Sequence, residues 1–96
     1  MIKGSKKKKS EDPLGQQRTW LIGRSRPCEI IFDDDSISRK HCQIVETGEG
    51  FYMSDLRSAN GTFINGYRLT GETRIYEEDE IRLGNVQFRF TEDMLR

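Results

Sequence analysis

The dipeptide Asn65-Gly66, set between Thr62-Phe63-Ile64 and Tyr67-Arg68-Leu69, leaves this chain very little conformational choice. A two-residue hairpin turn needs positive φ at both positions, which Asn and Gly accept, and the flanking arms suit a pleated surface. The stretch predicts a tight antiparallel hairpin. Its surroundings repeat the theme of short apolar runs punctuated by turn formers. RTWLI (18–22) ends at Gly23, EIIF (29–32) runs into Asp33–Asp35, and HCQIV (41–45) meets a Gly-rich turn before FYMSDL (51–56). TRIY (73–76) and EIRL (80–83) flank an acidic turn, and VQFRFT (86–91) alternates strictly, with Val86, Phe88 and Phe90 on one face. Such alternation marks a strand with one face in a core. No helix of ordinary length is expected, and the terminal EDMLR can form at most a turn. The whole predicts an all-β, two-sheet antiparallel sandwich.

Ninety-six residues suit one domain with little core to spare, and apolar residues are only 33% of them. Sixteen basic and sixteen acidic residues cancel, so general attraction to nucleic acid or an anionic membrane is not expected, and anion binding must come from local placement. No apolar run approaches the ~20 residues of a membrane span. MIKGSKKKK lacks the apolar segment of a secretion signal, which points to an intracellular protein, cytoplasmic or nuclear. Residues 1–17 read as a basic tail or a weak first strand, 18–92 as the domain, and 93–96 as its C-terminal end. Cys28 and Cys42 are too few for a disulfide framework and read as buried free thiols. Cys28, His41 and Cys42 lack paired metal-ligand spacing and a fourth ligand, so neither metal nor cofactor is expected.

Three separated pieces carry donors suited to an oxyanion: Gly23-Arg24, Ser38-Arg39-Lys40-His41 and Asn60-Gly61-Thr62. Guanidinium groups offer a planar fork to two phosphate oxygens, and a hydroxyl fills a third direction. Each piece sits where a strand should meet a turn, so the sandwich is expected to gather them at one end. Taken singly, each residue has a plainer reading. Arg24 could pair with one of Asp33–Asp35, Ser38 could bond its own turn, and Asn60-Gly61 could be only a turn. The Asp33–Asp35 run is either a solvated loop or a filter that favours basic partners, while Glu77–Glu80 is expected at the far end. Ser38, His41 and Asp55 contain the residue types of a hydrolytic triad, but no nucleophile elbow surrounds the serine, and no enzyme is expected.

GRSRPCEI, SRKH, DLRSANGTFING and EDEIRLG, in that order, resemble the motifs of the forkhead-associated (FHA) domain family from about Thr19 to Phe90. The resemblance implies a sandwich of about eleven strands that binds phosphothreonine in a partner protein. By position, Arg24 and Ser38 would contact the phosphate with Arg39 beside them, and Asn60 would hold the peptide backbone. Gly23, His41, Gly61, Thr62 and Asn65 would support the site. Ala59 stands where the family often carries a polar residue. The isolated domain is expected to be monomeric. The rival reading is a phosphate-independent interaction or assembly module on the same sandwich.

Overall fold

The computed structural model describes residues 17–96; the expected basic segment falls almost wholly outside them. Nine strands occur among the described residues: β1 (Arg18–Gly23), β2 (Ile30–Ile31), β3 (Cys42–Thr47), β4 (Gly50–Asp55), β5 (Thr62–Ile64), β6 (Tyr67–Arg68), β7 (Thr73–Ile75), β8 (Glu80–Leu83) and β9 (Val86–Arg89). A 3-10 turn, Glu92–Leu95, follows. One sheet has the order β2-β1-β3-β4-β7 and the other β9-β8-β5-β6. This is the expected two-sheet sandwich. No helix among the described residues is long and apolar enough to cross a membrane.

The pairing register follows from which residues must be buried. Trp20 pairs with Ile44 and Ile44 with Met53, while Ile64 pairs with Ile81 and Thr62 with Leu83. A slip of one residue would turn these side chains to water. Ile22, Ile44, Met53 and Ile75 from one sheet meet Ile64, Ile81, Leu83 and Phe90 between the sheets. Phe32 stacks on Phe88 at 5.0 Å and Phe51 meets Phe90 edge-on at 5.5 Å, so rings bridge the layers. Phe90 is fully buried while Val86 and Phe88 are half-buried and Gln87 and Arg89 exposed, as the alternation requires. The Asn65-Gly66 turn forms with φ of 51° and 88°.

One pairing departs from the antiparallel expectation. The strand expected at 29–32 shrinks to Ile30–Ile31, which runs parallel to β1 with Ile22 opposite Ile30. The chain doubles back along β1 first: Glu29 N–H donates to Leu21 O, and Phe32 N–H to Gly23 O. Ile31 consequently sits on an edge, half exposed.

The two ends of the sandwich differ. At one end lie the loops after β1, before β3, after β4, and between β8 and β9. At the other, the Asn65 side chain donates to Asp79 Oδ1 (3.1 Å) and accepts the Glu80 N–H (2.9 Å). Asp79 Oδ2 accepts the Tyr76 N–H (2.8 Å). The Glu77–Glu80 cluster therefore belongs to this second end, together with Asn65.

Gly23 is required by proximity. A Cβ there would lie 2.0 Å from Arg39 O and 2.8 Å from Cys28 Sγ, whereas one on Gly71 would meet nothing within 4 Å. Gly23→Ala should therefore lower stability by at least ~1–3 kcal/mol, the usual cost of overpacking, while Gly71→Ala stays within about 0.5 kcal/mol. Chemical denaturation of the two variants checks this.

Candidate functional site

The segment 33–41 is pinned from below and from both sides. Ile37 is seated in the core at 1% exposure. Asp34 Oδ1 accepts both the Ser36 N–H (2.9 Å) and the Ser36 hydroxyl (2.6 Å), a local turn typical of Asp followed by Ser. Ser36 then joins two distant loops. Its carbonyl accepts the Asn60 side-chain amide (2.8 Å), and its Oγ accepts the Asn85 N–H (2.8 Å). The following turn fits only because residue 84 is glycine: its φ is 57°, and a Cβ would lie 2.3 Å from Ser36 O.

His41 is fully buried and links two of the expected pieces directly. The Ser38 N–H donates to its Nδ1 at 3.0 Å, and its Nε2 lies 2.8 Å from Gly61 O. A backbone N–H can only donate, so Nδ1 is the acceptor and Nε2 carries the proton that Gly61 O receives. Both ring nitrogens are thereby committed. Neither remains to take a proton from the Ser38 hydroxyl or to bind a metal.

The Ser38 hydroxyl has a different partner. Its Oγ accepts the Ala59 N–H at 2.9 Å, which leaves the hydroxyl proton free to be donated. The Ala59 backbone is thus spent on the serine, and position 59 has neither side-chain donor nor N–H for a ligand. Arg24 adjoins this point through its backbone N–H, which donates to Ser38 O at 3.1 Å, and its side chain is half-buried. Among the described residues the one ion pair joins Arg96 and Glu92, so Arg24 takes no partner from Asp33–Asp35. Arg39 is exposed on the same segment.

Asp55 and Ser58, which the motif reading left without a role, hold the third piece. Asp55 accepts the Ser58 N–H (3.0 Å), the Ser58 hydroxyl (2.6 Å) and the Thr62 hydroxyl (2.7 Å), and Ser58 Oγ accepts the Gly61 N–H (2.9 Å). Burial alone would raise the Asp55 carboxyl, but the bonds from Ser58 and Thr62 outweigh it and hold it below the ordinary carboxylate range. The signal available in the sequence was the Asp-Leu-Arg-Ser spacing, which suits a side chain bonding back to the chain three residues on. Burial pushes the Cys42 thiol up to about 12, and burial followed by Glu29 raises Cys28, so both free thiols are protonated at neutral pH.

Arg24, Ser38, Arg39, Asn60, Gly23, His41, Gly61 and Thr62 therefore gather at one end, and Asn65 does not. The gathering presents a rim of donors. A hollow of about 580 Å³ lies on the outer face of the five-stranded sheet among Thr19, Gln43, Val45 and Tyr52, away from these loops.

Removing the imidazole orphans a half-buried N–H and a buried carbonyl, so His41→Ala should cost about 2–4 kcal/mol of stability, read from denaturant midpoints. The depressed carboxyls of Asp55 and of Asp34, the latter lowered by its Ser36 bonds, stabilise the fold above their unfolded pKa near ~4. That stabilisation is lost as pH falls from about 4 through the folded values. In a denaturation series against pH, Asp55→Asn should flatten the acid slope.

The FHA domain family model matches residues 20–84. The transcriptional regulatory protein EmbR of Mycobacterium tuberculosis is 35% identical over 75 residues, covering 78% of this chain and 19% of EmbR. This chain thus spans about a fifth of that relative. Its structure in complex with a low affinity phosphopeptide has a TM-score of 0.72 at 33% identity, over 76% of this chain and 19% of that one. The N-terminal FHA domain of S. cerevisiae Rad53p, in complex with a phosphothreonine peptide, has a TM-score of 0.64 at 28% identity, over 70% of this chain and 56% of that one. With its motifs gathered on a two-sheet sandwich and the family model spanning most of its length, the chain belongs to the FHA domain family.

Proposed function

We infer that this domain binds phosphothreonine in a partner protein through the donor rim at the loop end of the sandwich. The observation that carries the reading is the Ser38 hydroxyl. Its oxygen is filled by the Ala59 N–H, its proton has no acceptor among the described residues, and the half-buried Arg24, with no ion-pair partner among them, stands on the adjoining loop. A phosphothreonine carries about −1.5 to −2 charges at pH 7 and three acceptor oxygens, which these donors suit. Arg39 would add a second guanidinium. Asn60 has given one amide proton to Ser36 O, which orients the side chain and leaves its carbonyl oxygen and second N–H for the ligand backbone. The phosphopeptide complexes of EmbR and Rad53p support this assignment.

Charge-assisted hydrogen bonds contribute roughly 1.5–3 kcal/mol each, and three or four of them, less ordering costs, suit micromolar recognition of a short peptide. The module works by reversible binding and not by catalysis, because His41 has no nitrogen to spare for proton transfer. Two buried, protonated thiols fit a reducing, intracellular setting. The domain acts as a monomer, and its zero net charge gives no general pull toward nucleic acid.

Calorimetric titration of a phosphothreonine peptide against its unphosphorylated twin tests the reading, and equal affinities would overturn it in favour of a phosphate-independent module. Arg24→Ala should cost at least ~2 kcal/mol of affinity with the unfolding midpoint unchanged. Asn60→Ala should weaken the phosphorylated peptide while keeping the demand for phosphate. Affinity for the wild-type domain should fall as the pH drops through ~6, where the phosphate loses its second charge.

A further inference from the structure

The segment that carries Ser38 is polarised. Asp33 and Asp35 precede it, Arg39 and Lys40 follow it, and all four side chains are exposed. Asp34, between the two aspartates, is withdrawn from this contrast because its carboxylate is occupied by Ser36. The segment cannot turn its charges elsewhere, since Ile37 is buried in the core and Ser36 and Ser38 are each bonded to neighbouring loops.

The packing of the other loops extends the polarity. On the cationic side, the loop after β1 lies against the segment: Arg24 N–H donates to Ser38 O, and the Cys28 thiol donates to Arg39 O at 3.1 Å. That loop contributes Arg24 and the exposed Arg26; its one carboxylate, Glu29, is drawn back along β1 by the Leu21 N–H at 2.7 Å. On the anionic side, Ser36 is bridged to the uncharged Asn60 and Asn85, and the exposed Arg57 on the Asn60 loop is the one cation that this packing adds there. Among the described residues no ion pair neutralises Arg24, Arg26, Arg39, Lys40, Asp33 or Asp35. Arg39 and Lys40 thus follow the serine, with Arg24 and Arg26 on the loop packed against them, while Asp33 and Asp35 precede it.

We propose that the site reads the charge on both flanks of the phosphothreonine, taking an acidic residue over Arg26 and Lys40 and a basic residue over Asp33 and Asp35. The ligand class is then a phosphothreonine peptide whose two flanks carry opposite charge in one fixed order. The proposal rests on the phosphothreonine reading and adds a direction to it. A chain of zero net charge has no global field to blur this contrast, and at physiological salt each flank acts within a screening length of ~8 Å.

Three phosphothreonine peptides test it on the 96-residue chain: lysines before and aspartates after, the same residues in the reverse order, and neutral residues on both sides. The first two have identical composition, so general attraction cancels. One order should bind about tenfold tighter than the other, with the neutral peptide between them. The gap should shrink in ~0.5 M salt and close in the variant Asp33→Asn, Asp35→Asn, Arg26→Gln, Lys40→Gln, which keeps its affinity for the neutral peptide. Equal binding of the two orders while the neutral peptide binds overturns the proposal, and so does a gap that survives in the variant. Failure of all three peptides to bind overturns the phosphothreonine reading itself, and this proposal with it.

Discussion

The His41 imidazole, fully buried, receives the Ser38 N–H on one nitrogen and gives its proton to Gly61 O with the other. Those two groups belong to loops on either side of β3 and β4, and each loop supplies part of the donor rim. Without the ring, each would have a backbone group left to satisfy and no fixed distance from the other. The remaining bonds presuppose that distance. Ser38 Oγ can take the Ala59 N–H, and Ser36 O the Asn60 amide, only when the loops are already side by side. A neutral ring with one donor and one acceptor does what a water could do, but at a fixed angle and without the mobility.

The two ends of the sandwich solve similar problems with different chemistry. At the Asn65 end, Asp79 and Asn65 close two turns against each other, while the nearby Glu77 and Glu80 carboxylates accept the Glu92 N–H and the Gln87 side-chain amide. At the rim, Asp34 and Asp55 do comparable work from within their own loops, each accepting bonds from a serine two or three residues on. Carboxylates next to an anion site would ordinarily oppose its ligand. Here their negative charge is drawn toward hydroxyls and backbone N–H groups, so the cations beside Ser38 keep their reach.

Much of this was legible in the chain. Period-two alternation in VQFRFT and the Asn65-Gly66 turn are local rules, and local rules survive into the fold because burial enforces them. Arg24, Ser38 and Asn60 could be grouped because each falls at the end of a strand of predictable length. The parallel pairing of β2 could not be read, since EIIF looks the same whichever way it runs. Nor could the Ser36 bridges to Asn60 and Asn85, which depend on loops meeting in space, the second across 49 positions of sequence. Asn65 was grouped with the site from its place in the motif, yet β5 is three residues long and carries it to the opposite end.

Position 59 shows what this division of labour permits. Ala59 contributes to the rim through its backbone alone, and its side chain is exposed. Replacing that methyl by a longer group would leave every hydrogen bond described above intact while setting new chemistry beside the donor rim. The neighbouring exposed positions Arg39 and Arg57 have the same independence from the core. A scaffold arranged in this way can drift toward new partners through its outermost atoms, while the bonds that hold its loops together go on unchanged.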